Sequence, residues 1–221
     1  MSSASASTIA SVAYPTDLAA TLSGASVRQL AYWRRPNRAG ERLLVPELRE
    51  AGRPLLYSFR DVLALRTFVY LREEHSLQKV RKAVANLRDL GNRDHLARYQ
   101  LVATRASILW VDETGTGTDL VREPGSRLLD VTLADVVAAF AHGEGHVVDL
   151  YQPRKLLGVD PEVCGGYPVV AGTRVLYDQI ASLVVDGVLP EHIGRYFPGI
   201  TAAAAEDAAS LAAEVNGVAA A

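Results

Sequence analysis

The sequence predicts a mainly α-helical protein with small β elements, and three observations lead to this fold class. Apolar residues recur at helical spacing between capping signals over residues 16–91. Strand-like runs separated by glycine-rich turns follow over residues 98–132, and short helical segments then alternate with Gly and Pro. We therefore expect a winged helix-turn-helix domain over 13–95, a β-rich connector module over 96–148 and a three-helix, helix-turn-helix-like domain over 149–221.

Composition narrows the class of protein further. The 221 residues are 49% hydrophobic and 22% charged, which suits a globular protein with sizeable cores. The single cysteine, Cys164, excludes an internal disulfide framework and a cysteine-rich zinc site, and it fits a reducing, cytoplasmic compartment. Residues 1–12 are small and polar and predict a disordered tail. No apolar run reaches the roughly 18 residues of a membrane span, so no membrane partner is expected.

Charge is distributed unevenly along the chain, although the net charge is only −2. Residues 27–95 hold 15 of the 23 Lys and Arg residues against 8 acidic residues, a local balance of +7. Residues 96–221 hold 8 basic and 16 acidic residues, a balance of −8. A basic N-terminal part and an acidic C-terminal part predict two regions with different partners.

Two short helices separated by a glycine turn are predicted at the start of the folded chain. Thr16 is the expected N-cap of the first helix, and Gly24 ends it. Ser26 is the expected cap of the second helix, 27–35, and Pro36 terminates that helix. The positions that face inward are Leu18 and Leu22 in the first helix and Val27, Leu30 and Trp33 in the second. Two helices joined in this way form a helix-turn-helix.

The outward face of the second helix carries groups that can read base edges in the major groove of DNA. Arginine and glutamine side chains make such contacts, and the second helix of the motif enters the groove. The alternative is an ordinary helical hairpin with a solvated basic face, but the local excess of positive charge favours DNA. The candidate recognition residues are Arg28, Gln29, Arg34 and Arg35.

Residues 37–57 contain two apolar patches, "LLV" and "LLY", on either side of a Gly- and Pro-rich turn. This arrangement predicts a wing-like hairpin. Its basic side chains are available for contacts with DNA phosphates. They are Arg38, Arg42, Arg49 and Arg53.

Two longer helices are predicted after this hairpin. Ser58 and Asp61 form the S-x-x-D capping signature of a helix over 59–74. Ser76 caps a second helix that ends at Gly91. Its apolar positions recur at intervals of three and four, which is typical of an amphipathic helix packed on a core. They are Leu77, Val80, Val84, Leu87 and Leu90, and the far face carries Lys79, Arg81, Lys82 and Arg88.

Residues 14–91 resemble the MerR-like winged-helix domains. The segments that carry the resemblance are "SVRQLAYW", "LLYSFRDVLALRTFVYLRE" and "SLQKVRKAVANLRDL". The resemblance implies a domain that binds double-stranded DNA as a dimer. No cluster of cysteines follows, so a metal-sensing regulator is not expected.

The middle of the chain predicts a small antiparallel sheet and then a short helix. "RYQLVATRASILWV" and "RLLDV" read as strands that flank turns at "DETGTGTD" and "EPGS", and "TLADVVAAFAHG" reads as the helix. The "HGEGH" stretch at 142–146 predicts a loop rather than a metal site, because its glycines interrupt a helix and a zinc deaminase also needs P-C-x-x-C. No nucleophile–base set stands out, so we expect neither an enzyme nor a cofactor.

The C-terminal region predicts a hairpin followed by three short helices. Gly165, Gly166, Pro168 and Gly172 shape the hairpin in "GGYPVVAGTRV", and Thr173 and Arg174 support the fold or an interface. The first helix turns Ile180, Leu183 and Val184 inward, the second follows Pro190, and Thr201 opens the third. Because residues from 161 onwards hold two basic and seven acidic residues, we expect self-association or partner binding here rather than DNA binding.

Residues 159–215 closely resemble the small C-terminal domain of the larger VapB-type antitoxins. The resemblance rests on the pattern D-P-x-x-x-G-G-x-P-x-x-x-G-T-R-V, then D-G, then H-I-x-x-x-F-P-x-I-T. It implies an antitoxin of a type II toxin–antitoxin pair that represses its own operator and neutralises a PIN-like ribonuclease toxin. One DNA-binding motif per chain predicts a homodimer. The alternative is a stand-alone MerR-like transcription regulator that senses a small molecule.

Overall fold

The computed structural model describes residues 13–37, 40, 42–48, 54–91, 100–104, 107–112, 116–128, 138–143 and 145–220. The helices are α1 (Thr16–Ser23), α2 (Val27–Trp33), α3 (Phe59–Glu74), α4 (Leu77–Asp89), α5 (Tyr177–Val185) and α6 (Ala202–Ala220). The strands are β1 (Gln100–Ala103), β2 (Ile108–Val111), β3 (Gly117–Asp119), β4 (Arg127–Leu128), β5 (Phe140–His142), β6 (Gly145–Val147), β7 (Leu157–Gly158) and β8 (Val169–Val170). Short 3₁₀ segments cover Cys164–Gly166 and Pro190–Arg195. The prediction of a mainly helical fold with small antiparallel sheets is confirmed.

Local capping chemistry sets most of the helix starts. Ser58 and Asp61 form a reciprocal capping box at the start of α3, and Ser76 accepts a hydrogen bond from the first turn of α4, as predicted. Gly24 ends α1 in the left-handed conformation at φ 78°. The cap of α1 was predicted wrongly: Pro15 occupies the N-cap position and Thr16 is already helical, because a proline with extended ψ precedes it.

The predicted wing-like hairpin is not present among the described residues of the 37–57 segment. The backbone N–H groups of Leu43 and Leu44 both donate to the carbonyl of Trp33, at 3.1 and 3.3 Å. The backbone of Tyr57 instead pairs with Tyr14, at 2.8 and 2.9 Å. Burial of the two leucines against the end of α2 explains the difference, because it removes more apolar surface from water than a small solvated hairpin does.

A buried arginine holds three parts of the fold together. The guanidinium of Arg66, on α3, is inaccessible to solvent and donates to the carbonyl of Leu22 at 2.7 Å. It also donates to the carbonyls of Ala138 and Val148, each at 2.6 Å. The ring of Phe140 lies 5.0 Å from its guanidinium carbon. α1, α3 and the β5–β6 hairpin therefore share one polar centre inside the core.

The middle sheet has the antiparallel order β1-β2-β3-β4. β3 occupies residues 117–119, where the sequence predicted only a turn. The turn is shorter than predicted because Thr118 pairs with Trp110, which extends the ladder into the glycine-rich stretch.

The helix predicted over 132–143 is wrong at its C-terminal end, and residues 132–137 lie outside the described residues. Phe140–His142 forms β5, which pairs with β6 across a tight turn, and Gly143 has φ 57° there. Cross-strand pairing across a turn with positive φ outweighs helix propensity in this segment. The "HGEGH" stretch therefore spans the end of β5 and the start of β6.

The C-terminal bundle follows the predicted order. α5 begins at Tyr177, the 3₁₀ segment begins at Pro190, and the side chain of Thr201 accepts a hydrogen bond from Ala204 at the start of α6. Ile180 is fully buried, as predicted, whereas Leu183 and Val184 are half-buried.

The bundle is not separate from the N-terminal helices. α6 packs against α1, and one continuous set of buried apolar residues runs from Tyr14 to Val215. Within the described ranges, no helix combines the length and apolar composition that crossing a membrane requires.

Candidate nucleic-acid interface

The orientation of α2 is fixed by its two buried side chains. Leu30 and Trp33 are 0% and 2% exposed, and the ring of Trp33 meets that of Phe68 edge-on at 5.8 Å. With these residues inside, the opposite face of α2 lies at the surface. It carries Arg28, Tyr32 and, just beyond the helix, Arg35.

Three of the predicted arginines border one cleft beside the C-terminal end of α2. This arginine cleft has a volume of about 300 Å³ and is bordered by Arg34, Arg35 and Arg42 together with Pro36 and Pro46. Its described lining contains no carboxylate. Arg34 is held in place by a hydrogen bond from its Nε to the carbonyl of Leu30, at 3.3 Å. The cleft therefore presents a concentrated positive charge on a fixed scaffold.

α4 extends the positive surface, and this contact was not predicted from the sequence. The guanidinium of Arg81 lies 5.0 Å from the centre of the Tyr32 ring, which is a cation–π distance. Arg42 also borders a crevice with Arg81 and Arg88, and Arg88 donates to the carbonyl of Arg42 at 3.3 Å. The sequence placed Arg81 on the outward face of α4, but only the fold brings it to α2. Arg42 joins the two parts of the surface.

Gln29 has a structural task in addition to its predicted contact with bases. The side-chain oxygen of Gln29 accepts from the backbone N–H of Ser26 at 2.7 Å, and the backbone N–H of Gln29 donates to the Ser26 hydroxyl at 3.1 Å. This capping box satisfies two backbone donors at the start of α2. A contact from the Gln29 oxygen to a base would have to break it.

Of the remaining predicted contacts, the structure describes only Arg28. Arg28 is exposed but lies away from the arginine cleft, beside the β5–β6 hairpin, with Ala31 between the two regions. Arg38, Arg49 and Arg53 lie outside the described residues. α2 itself ends at Trp33 rather than at residue 35, so Arg34 and Arg35 follow the helix.

The glycines of the C-terminal motif adopt backbone conformations that other residues rarely reach. Gly165 and Gly166 have φ values of 63° and 85°. A Cβ atom on Gly166 would lie 2.8 Å from the hydroxyl oxygen of Tyr14 and 2.9 Å from the ring of Phe59. The Tyr14 hydroxyl also donates to the carbonyl of Gly166. The motif thus packs its backbone directly against the N-terminal helices.

The second half of the motif forms a tight turn. Gly172 has φ 75° and open space around it, and the Thr173 hydroxyl donates to the carbonyl of Val170 at 2.8 Å. The carbonyl of Pro168 accepts from the backbone of Tyr177 at 3.0 Å, which fixes the entry to α5. The Thr173 side chain thus closes the turn with hydrogen bonds to Val170 and Val175, whereas the side chain of Arg174 is exposed.

An acidic cleft of about 380 Å³ lies between α1, α5 and α6. Asp17, Asp178 and Asp186 border it, with no basic residue in its described lining. The hydroxyl of Tyr167 donates to one carboxylate oxygen of Asp178 at 2.9 Å. Burial, reinforced by Tyr177 and Asp178, raises the pKa of Tyr167 well above its usual value. This side of the molecule is a poor surface for DNA.

Comparison with known proteins found a family that matches part of the chain and a solved structure with a similar fold. Residues 158–212 match a family described as a protein of unknown function, DUF433. The X-ray crystal structure of Rv2018 from Mycobacterium tuberculosis is similar, with a TM-score of 0.50 and 13% identity over 89% of this chain and 96% of that chain. No curated protein matches the sequence. At this identity, the likeness to Rv2018 concerns the fold alone.

Proposed function

We propose that this chain is a type II antitoxin that binds its operator DNA through the surface around α2. The observation that carries the proposal is the contiguous set of guanidinium groups at the end of the two-helix motif, with no carboxylate among the described residues that line its clefts. Positive groups of this kind neutralise phosphates and release condensed counterions, which supplies most of the affinity of such proteins for DNA. The set comprises Arg34, Arg35, Arg42, Arg81 and Arg88.

The two kinds of contact with DNA are separated in this proposal. The arginine cleft and α4 contact phosphates and set the position of the protein on the duplex. Arg28 projects from the first turn of α2 and contacts base edges, because the N-terminal residues of a recognition helix reach them. A single motif covers one half-site, so a homodimer binds a paired operator.

The acidic C-terminal bundle is the proposed site of contact with proteins. It carries exposed apolar side chains at Val185, Leu189 and Tyr196, which are 77%, 54% and 57% exposed. Apolar side chains surrounded by carboxylates favour a protein partner over nucleic acid. The partners in this proposal are a PIN-like ribonuclease toxin and a second copy of the chain.

DNA binding is tested with the full chain and duplex DNA from upstream of its own reading frame. Arg42→Gln is expected to weaken binding to all duplexes alike and to reduce the slope of log affinity against log salt by about one. Arg174→Gln, which removes an exposed arginine from the C-terminal region, is the matched control and leaves affinity unchanged. Fluorescence anisotropy over a salt series measures both. Equal losses in the two variants contradict the assignment of the interface.

Toxin neutralisation is tested with the product of the neighbouring reading frame. The proposal expects a small ribonuclease that copurifies with this chain and whose RNA cleavage this chain inhibits. The alternative, a stand-alone regulator that senses a small molecule, draws support from a large cleft beside α2. A neighbouring frame without nuclease activity, together with operator release by a metabolite, would favour that alternative.

A further inference from the structure

A second cleft lies at the other end of α2, on the side of the β5–β6 hairpin. This hairpin cleft has a volume of about 690 Å³, within the range of roughly 300–1,000 Å³ that small-molecule sites occupy. It is bounded by the end of α1, the first turn of α2, the hairpin and the last turns of α6. The DNA surface described above does not use it, except at Arg28.

The apolar part of the hairpin cleft is built from small and branched side chains. Ala20 and Ala25 are buried in its floor, and Val27 and Val218 stand at its sides. The hairpin is packed tightly against the α1–α2 turn, since a Cβ atom on Gly24 would lie 2.4 Å from Cγ2 of Val147. The walls are therefore held in fixed positions, which favours binding of an apolar group of defined size.

The polar groups around the cleft leave positive charge for a ligand. Glu214 accepts from Arg154 at 2.5 Å, so its charge is already balanced. His142 contacts Glu73. The guanidinium of Arg28 and the ring of His146 are exposed, and neither has an ion-pair partner among the described residues. A guanidinium offers two parallel donors that match one carboxylate.

We propose that the hairpin cleft binds a small monocarboxylate with an apolar body. The carboxylate accepts from Arg28 and His146, and the apolar body packs against Val27 and Val218. No bond is made or broken. Because Arg28 is also the proposed contact to base edges, the bound carboxylate competes with DNA for it. That competition rests on the proposed DNA binding, whereas ligand binding does not.

Calorimetry on the full chain without DNA tests the binding itself. The probes are butanoate, hexanoate and octanoate, with the matching primary alcohols. Affinity is expected to rise about fourfold for each added methylene that is buried. Each alcohol is expected to bind at least about tenfold more weakly than its carboxylate, because it lacks the charge-assisted hydrogen bonds. Absence of heat with every carboxylate, or equal affinity for carboxylate and alcohol, overturns the proposal.

Matched variants locate the site. Val218→Trp fills the cleft from the end of α6 and is expected to abolish binding of both classes, whereas Val185→Trp, the same change away from the cleft, leaves binding intact. Arg28→Gln is expected to reduce carboxylate affinity about tenfold and leave alcohol affinity unchanged. Circular dichroism verifies that each variant is folded. Unchanged binding by folded Val218→Trp overturns the location.

The competition with DNA is measured separately. Octanoate at saturation is expected to weaken binding of the wild-type chain to its upstream duplex at least about tenfold, and to have no effect on Val218→Trp. If calorimetry detects octanoate but DNA affinity does not change, the ligand site stands and the role of Arg28 at the DNA is wrong. If the chain binds no duplex, the proposed function fails while the calorimetric result is unaffected.

Discussion

The basic surface around α2 and the acidic cleft beside α5 are built from similar parts and have opposite chemistry. Both consist of short helices joined by turns that contain glycine with positive φ. The first gathers arginines from α4 and the end of α2, whereas the second gathers aspartates from α1 and α5. A helix-turn-helix outline therefore does not predict DNA binding by itself, because the two regions collect opposite charge on the same kind of scaffold.

The two regions nevertheless share one buried apolar core and form one structural unit. The largest expected effect on stability comes from the buried arginine inside this unit. Arg66→Met removes the donors from the buried carbonyl of Leu22 and the partly buried carbonyls of Ala138 and Val148, and is expected to lower the free energy of unfolding by about 3 kcal/mol or more. Arg60→Met, on the same helix but 44% exposed and paired with Glu47, is the control, with an expected loss of at most about 1 kcal/mol.

Urea unfolding followed by circular dichroism and by tryptophan fluorescence measures the effect. Trp33 and Trp110 report on the N-terminal helices and the middle sheet, and circular dichroism reports on all helices. Coincident transitions in the wild-type chain support a single unit. Two separate transitions would show that the basic and acidic regions unfold independently.

A smaller effect is expected where the C-terminal motif contacts the N-terminal helices. Gly166→Ala places a methyl group against Tyr14 and Phe59 in a left-handed backbone, and a loss of about 2–4 kcal/mol is expected. Gly172→Ala has the same backbone requirement at φ 75° but open space around it, so about 1–2 kcal/mol is expected. Thermal denaturation of both variants compares the two losses. Their difference measures the steric contact at Gly166, because the backbone strain is common to both positions. Equal losses would mean that the contact adds nothing.

The smallest expected effect is on the pH dependence of stability, and it arises from Tyr167 in the acidic cleft. Burial raises the pKa of Tyr167 above the 10.0 of an ordinary tyrosine, so the unfolded chain releases this proton first. The contribution of Tyr167 to stability is therefore fully present below pH 10 and is lost as the pH rises above it. Tyr167→Phe is expected to cost about 1 kcal/mol at neutral pH, since Asp178 loses a donor, and to flatten the alkaline fall.

Urea midpoints from neutral pH to above pH 10 measure this prediction. Tyr196→Phe, which removes the hydroxyl of a tyrosine that is 57% exposed, is the matched control for the loss of a tyrosine hydroxyl. Burial raises the pKa of Tyr14 and Tyr177 in the same direction, so part of the alkaline fall remains in Tyr167→Phe. An identical profile in wild type and Tyr167→Phe would contradict the assignment.

Features set by neighbouring residues were predictable from the sequence, and features set by distant contacts were not. The start of α3 follows from Ser58 and Asp61, because a capping box operates within one helical turn. The strand at Phe140 was not predicted, because the contacts that stabilise it come from its partner strand β6 and from the guanidinium of Arg66, which is distant in sequence. The arginines were correctly seen as a charge excess, but the meeting of Tyr32 with Arg81 depends on how α2 and α4 pack.

The packing of α6 against α1 has a consequence for synthesis. Leu18 near the start of the chain borders the same cleft as Ala212 and Val215 near its end. A contact between segments this far apart in sequence closes a long loop, which slows folding. While the nascent chain still lacks α6, the face of α1 that α6 covers stays open to water and to other proteins. The proposed DNA-binding motif therefore acquires its full support only after α6 has been synthesised.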